Sequence, residues 1–149
     1  MDYEMLKLDN QLCFALYACS REITKLYKPH LESLGLTYTQ YITLLVLWEQ
    51  DNIKIKQLGK ILHLDSGTLT PLLNKLEKAD IVTRIKDNND ERNVFVKLTV
   101  KGNEMKDKAK EIPAKVFCSK ELSIDQAIDL REELKALLTR LDNKTDNII

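Results

Sequence analysis

Apolar residues recur at helical spacing along most of this chain, with one interruption. Leu12, Leu16, Cys19, Ile23 and Leu26 follow one another at intervals of 4, 3, 4 and 3. That rhythm predicts a helix from about Leu8 to Leu34 carrying a single apolar stripe. Pro29 is expected to kink or restart it, and Gly35 to end it. Thr37 stands three residues before Gln40, a capping-box pattern that opens a second helix through Tyr41, Leu44, Leu45 and Trp48. Residues Ile55–Leu62 read as a short third helix. Asp65 or Ser66 caps a fourth, through Leu69, Leu72, Leu73 and Leu76 to about Ala79. Pro71 is expected near its first turn, where a missing N–H is tolerated.

The period then drops to two. Ile81, Thr83 and Ile85 alternate with other residues, as do Val94, Val96 and Leu98, and the polar run Lys86–Asn93 links them. This is a β-hairpin pattern. Helical spacing resumes after Thr99, breaks near Pro113, and returns behind a second capping box, Ser123 and Gln126. The last helix lines up Ala127, Leu130, Leu134, Leu137, Leu138 and Leu141.

Helix, helix, short helix, helix and hairpin is the order of a winged helix-turn-helix. The expected fold is mainly α with a small β-hairpin, a single domain over 1–149. Residues 37–98 form the winged helix-turn-helix, while 1–34 and 99–149 form a helical dimerisation region. Composition agrees: 4 Gly and 3 Pro among 149 residues leave little turn punctuation. No apolar run reaches about 18 residues, so no membrane span is expected. Met1–Lys7 leads into no signal-like core, so a cytoplasmic location is expected.

Charge changes the picture only when it is divided. Lys+Arg 23 balances Asp+Glu 23 overall. Residues 1–53 hold 4 basic and 7 acidic side chains, 54–97 hold 9 and 6, and 98–149 hold 10 and 10. The middle third is therefore the basic one, by +3. A basic helix-turn-helix reads DNA when its second helix enters the major groove. That helix begins Asp65-Ser66-Gly67-Thr68-Leu69-Thr70-Pro71. Ser66, Thr68 and Thr70 offer hydroxyls to base edges or phosphates near a helix N-terminus, and Gly67 permits close approach. Pro71, Asn74, Lys75 and Lys78 continue the candidate surface. The hairpin tip carries Asp90-Glu91-Arg92. Arg92 is suited to the narrow minor groove, with Asp90 to orient it through a bidentate pair. Taken alone, a capped helix and a solvated charged turn explain the same residues.

Cys13, Cys19 and Cys118 make no CxxC pair and no metal-ligand spacing, and no cofactor is implied. Cys13 and Cys19 lie six apart, about 9 Å of helical rise and roughly 600° of rotation, so they cannot pair within one helix. Cys19 falls on the apolar stripe and reads as a buried small hydrophobe. Tyr17 follows Cys13 at i+4 on the same face. Tyr27 points the same way but about 21 Å further along, so it would meet a Cys13 only across a dimer. From spacing alone, a core cysteine among core tyrosines is the better reading.

The run Leu64-Asp65-Ser66-Gly67-Thr68-Leu69-Thr70-Pro71-Leu72-Leu73, with Leu76-Glu77 and Asp90-Glu91-Arg92, resembles the MarR family of bacterial repressors. Gln11-Leu12-Cys13-Phe14, Tyr17, Ser20-Arg21-Glu22, Lys25 and Tyr27-Lys28-Pro29 resemble the sensor helix of its OhrR-type members, which sense organic hydroperoxides. The resemblance implies a homodimer whose recognition helices bind a pseudo-palindromic double-stranded operator. It implies a peroxidatic Cys13, bonded by Tyr27 and Tyr38 of the partner subunit. Thr39 replaces a Pro seen in some relatives. Cys118, five residues after Pro113, resembles the second cysteine of a two-cysteine branch, which forms an intersubunit disulfide with the sensor. The expected function is a repressor, not an enzyme, released from DNA by organic hydroperoxide. The alternatives are a MarR-type repressor released by a reversible small ligand with incidental cysteines, a thiol peroxidase, and a structural helical module.

Overall fold

The computed structural model describes residues 3–117 and 122–145. The chain forms two compact units, Met1–Ile112 and Pro113–Ile149.

The first unit opens with two short 3-10 turns, Glu4–Leu6 and Leu8–Asn10. Gln11 is extended, and helix α1 runs from Leu12 to Glu32. The helix therefore begins later than the apolar rhythm predicts, with no side-chain cap at Gln11. Side-chain amides tie the preceding turns to backbone carbonyls instead: Asn10 Nδ2 donates to Glu4 O at 2.8 Å and Gln11 Nε2 to Lys7 O at 3.2 Å. Pro29 sits inside α1 without ending it. Past Glu32 the chain turns at Gly35, whose φ of +67° suits glycine, and Leu36 N returns to Leu31 O at 3.1 Å.

Helix α2 (Tyr38–Glu49) carries the predicted capping box: Gln40 N donates to Thr37 Oγ1 and Thr37 N to Gln40 Oε1. A two-residue strand β1 (Ile53–Lys54) leads into α3 (Ile55–Leu62). Helix α4 (Ser66–Lys78) is capped by Asp65, whose carboxylate accepts from Thr68 N at 2.8 Å. Pro71 is the sixth residue of α4, beyond the first turn. Its ring removes the N–H that would pair with the Gly67 carbonyl.

Strands β2 (Val82–Lys86) and β3 (Val94–Leu98) form the hairpin, and β1 joins β3 on its other edge. The sheet is thus three-stranded, β1-β3-β2, all antiparallel, with Ile53 opposite Val96 and Arg84 opposite Val96 on the other side. The buried side of β2 is Val82, not the Ile81–Thr83–Ile85 set: Ile85 is exposed, while Ile81 is buried just ahead of the strand. The core beneath gathers Leu31, Leu44, Leu47, Leu58, Leu73, Leu76, Val82 and Val96.

Helix α5 (Val100–Ala109), capped by Thr99, packs on α2 and β3. A β-carbon at Gly102 would collide with the Ile81 carbonyl oxygen, and Trp48 Nε1 donates to Gly102 O at 3.0 Å. The helical run breaks near Pro113 as expected, between Ala109 and Ile112, and Pro113 is the second residue of the next helix, α6 (Ile112–Phe117). Within the second unit, α7 (Ile124–Thr145) follows the Ser123–Gln126 capping box.

Two stripes are open to solvent. Leu12, Ile23 and Leu26 on α1 are 68%, 43% and 47% exposed, and Leu130, Leu134, Leu138 and Leu141 on α7 are also exposed. Cys19, read from the sequence as a buried small hydrophobe, is exposed in the single chain, on the same open stripe.

Candidate nucleic-acid interface and thiol site

The start of α4 is presented as the sequence requires. Asp65 occupies itself with the cap, leaving Ser66, Gly67, Thr68, Thr70, Pro71 and Lys75 exposed, while Asn74 is half-buried. A β-carbon on Gly67 would press to 3.2 Å from the capping Asp65 Oδ1, so glycine also protects the cap.

The β2–β3 loop closes on itself. Asp87 N donates to Asn93 O, and Asn93 N to Asp90 O, both at 2.9 Å. At its tip, Arg92 Nε and Nη2 donate to Asp90 Oδ1 and Oδ2 at 2.9 and 3.0 Å. The bidentate pair expected from the spacing is present, and it aims a side chain that is 90% exposed. The Arg92 bonds hold the Asp90 carboxyl below the ordinary carboxylate range, with Lys54 adding to the effect.

Two positioning roles, those of Glu77 and Lys54, escaped the sequence reading. Glu77, on the last turns of α4, accepts from Arg84 N and Nε at 3.1 Å and from Nη2 at 2.5 Å. This clamp fastens β2 to α4, and the Arg84 bonds depress the Glu77 carboxyl. Lys54, in β1, lies 5.9 Å from the Phe95 ring centroid, beside the hairpin. A run of two strand residues between helices has no period by which to find it.

On α1, Cys13 is the second helical residue and is exposed. Tyr17, one turn on, accepts from Arg21 Nη1 at 2.7 Å, and the same guanidinium lies 5.4 Å from its ring centroid. Tyr27 and Tyr38 are brought together at 5.0 Å, and Tyr41, not singled out in the sequence, packs 5.8 Å from Tyr27 and 6.4 Å from Tyr38. Burial pushes the pKa of all three phenols above the ordinary tyrosine value, with neighbouring phenols adding to the rise for Tyr27 and Tyr41. They therefore remain protonated donors at neutral pH. Tyr27 lies fourteen residues beyond Cys13 on the same helix, so the tyrosine cluster and the thiol stay apart within one chain. Cys118 lies outside the described residues.

Among known proteins, the organic hydroperoxide resistance transcriptional regulator of Bacillus subtilis is 44% identical over 142 residues, covering 95% of this chain and 97% of that protein. The chain belongs to the MarR family of transcriptional regulators. Residues 25–109 match the transcriptional regulator SarA/Rot family. The regulator SarZ of Staphylococcus saprophyticus is 45% identical over 89% of the chain and 91% of its own length. Among solved structures, reduced AbfR bound to DNA matches with a TM-score of 0.80 at 34% identity, covering 95% of this chain and 99% of that one. Overoxidised AbfR on DNA and disulfide-formed AbfR match at TM-scores of 0.75 and 0.67. The winged-helix architecture expected of this regulator is the one present, enlarged by β1. Among the described residues, no helix is long and apolar enough to cross a membrane.

Proposed function

We propose that this regulator is a redox-sensing repressor that binds a pseudo-palindromic operator as a homodimer and leaves it when organic hydroperoxide oxidises Cys13. The observation that carries the DNA half is the pairing of two presented elements: the Asp65-capped start of α4 and the Asp90-held Arg92. In this reading Ser66, Gly67, Thr68, Thr70, Pro71, Asn74 and Lys75 meet the major groove, and Arg92 meets the minor groove. The DNA-bound and disulfide-formed states known for AbfR support the scheme.

The redox half rests on Cys13 at the positive end of α1, where unpaired N–H groups favour an anion. The Cys13 thiolate attacks the terminal oxygen of the hydroperoxide. The O–O bond breaks, an S–O bond forms, and the released alkoxide takes a proton to leave as the alcohol. Cys13 becomes a sulfenic acid. The thiol of Cys118 of the partner subunit then displaces hydroxide as water, forming the disulfide. Tyr27 and Tyr38 of the partner subunit donate to the thiolate across the dimer, while Tyr17 does so within the helix.

An operator-shift assay with reduced protein, then cumene hydroperoxide, then dithiothreitol tests this reading. Wild type should lose and regain DNA. Cys13→Ser should stay bound under peroxide, and Cys118→Ser should lose the dithiothreitol-reversible dimer on a non-reducing gel. Release of Cys13→Ser by peroxide would overturn the thiol mechanism, and release by an apolar acid without peroxide would favour a ligand-controlled repressor.

A further inference from the structure

Three cations lie on α1. Lys25 pairs with Glu22 at 2.6 Å and Lys28 with Glu32 at 3.7 Å. In the turns ahead of the helix, Lys7 pairs with Glu4, and Asp9 adds a further carboxylate. Arg21 is used differently: its Nη1 donates to the Tyr17 hydroxyl at 2.7 Å, with the guanidinium over the Tyr17 ring.

That bond has a direction. A guanidinium has no acceptor, so the phenol oxygen must accept. One lone pair of the oxygen is used, and the phenol proton is left to donate to something else. Cys13, Tyr17 and Arg21 stand at i, i+4 and i+8. Each step is one turn with about 40° of drift, so each side chain neighbours the next, while Arg21 is about 12 Å of rise from Cys13. Helical side chains lean toward the N-terminus, as Arg21 does onto Tyr17, and the same lean would carry the Tyr17 hydroxyl toward the turn that holds Cys13. Accepting from a cation also makes a hydroxyl a better donor, since bonds in a chain polarise one another.

We propose that Arg21 is a positioning residue of the thiol site: by occupying the Tyr17 oxygen as a donor, it directs the phenol proton to the Cys13 sulfur and stabilises the thiolate two turns away. The proposal rests on the redox reading of Cys13. It supplies the cation that no residue within one turn of Cys13 provides.

The test uses the full homodimer with Cys19→Ser and Cys118→Ser, so that Cys13 is the single thiol. Two quantities are read: the iodoacetamide alkylation rate against pH, and the rate of dimedone-trapped sulfenic acid formation with cumene hydroperoxide. Arg21→Gln should move the alkylation midpoint to higher pH and slow sulfenic acid formation about fivefold at neutral pH, the scale of one hydrogen bond. Arg21→Lys, which keeps a cationic donor, should recover part of the loss. In a Tyr17→Phe background, Arg21→Gln should change nothing further, an outcome that a purely structural role would not produce. Unchanged alkylation and sulfenic acid rates in Arg21→Gln, while the parent still reacts, would overturn the proposal. So would a loss that adds in full to that of Tyr17→Phe. A parent that forms no sulfenic acid sinks the redox reading itself, and the proposal with it.

Discussion

Arg92 shows how a side chain that lies outside the fold is still set by its neighbours. Its guanidinium is fully outside the fold, yet two bonds to Asp90 fix its plane. Replacing it with Ala should weaken operator binding and lower the slope of log affinity against log salt by about one unit. A titration of operator binding across salt concentrations decides this, and an unchanged slope would remove Arg92 from the phosphate or minor-groove contacts. Asp90→Ala should lose affinity while keeping most of the slope, because the charge stays and only its aim is lost. The Asp90–Arg92 pair was legible in the sequence because both partners sit in one short loop. The Arg21–Tyr17 bond was not legible in the same way, because Arg21 lies two helical turns from Cys13 and reaches it only through Tyr17.

Between elements, the Glu77–Arg84 clamp couples the far turns of α4 to the first strand of the wing. Glu77 is depressed in the folded protein by its bonds to Arg84. Its contribution is thus fully present above the ordinary carboxylate value of 4.5 and fades as pH falls through the lower folded value. The carboxylate is more than a third exposed, so the discounted cost of Glu77→Gln is under about 1 kcal/mol. Acid titration of thermal stability should show a shallower fall below pH 4.5 in Glu77→Gln than in wild type. An identical slope would separate the clamp from acid stability. The helices were legible because capping signals and 3.6-residue spacing agree, as at Thr37–Gln40 and Ser123–Gln126. The misread elements obey no local period. Strand β1 exists because β3 offers it an edge, and α1 starts late because side-chain amides hold the preceding residues in 3-10 turns.

Across the whole molecule, the apolar stripes of α1 and α7 stay exposed in the single chain. A second copy is the expected cover. Leu26→Asp should give a folded monomer by sedimentation velocity with helix content retained by circular dichroism, and it should lose most operator affinity because each chain brings one reader. A stable dimer in that variant would exclude this part of α1 from the interface. The balanced net charge fits such an assembly, since bulk attraction to DNA is weak and affinity must come from two readers set at the correct distance. The three-stranded sheet then has a mechanical consequence. Strand β1 ties the entrance of α3 to β3, and the Glu77 clamp ties β2 to α4, so the wing is fastened to the helix pair at both edges of the sheet. Each reader behaves as a rigid jaw of a caliper. Under the proposed redox scheme, oxidation would have no need to deform the jaw; it would have only to change the gap, and an operator of fixed helical repeat would do the measuring.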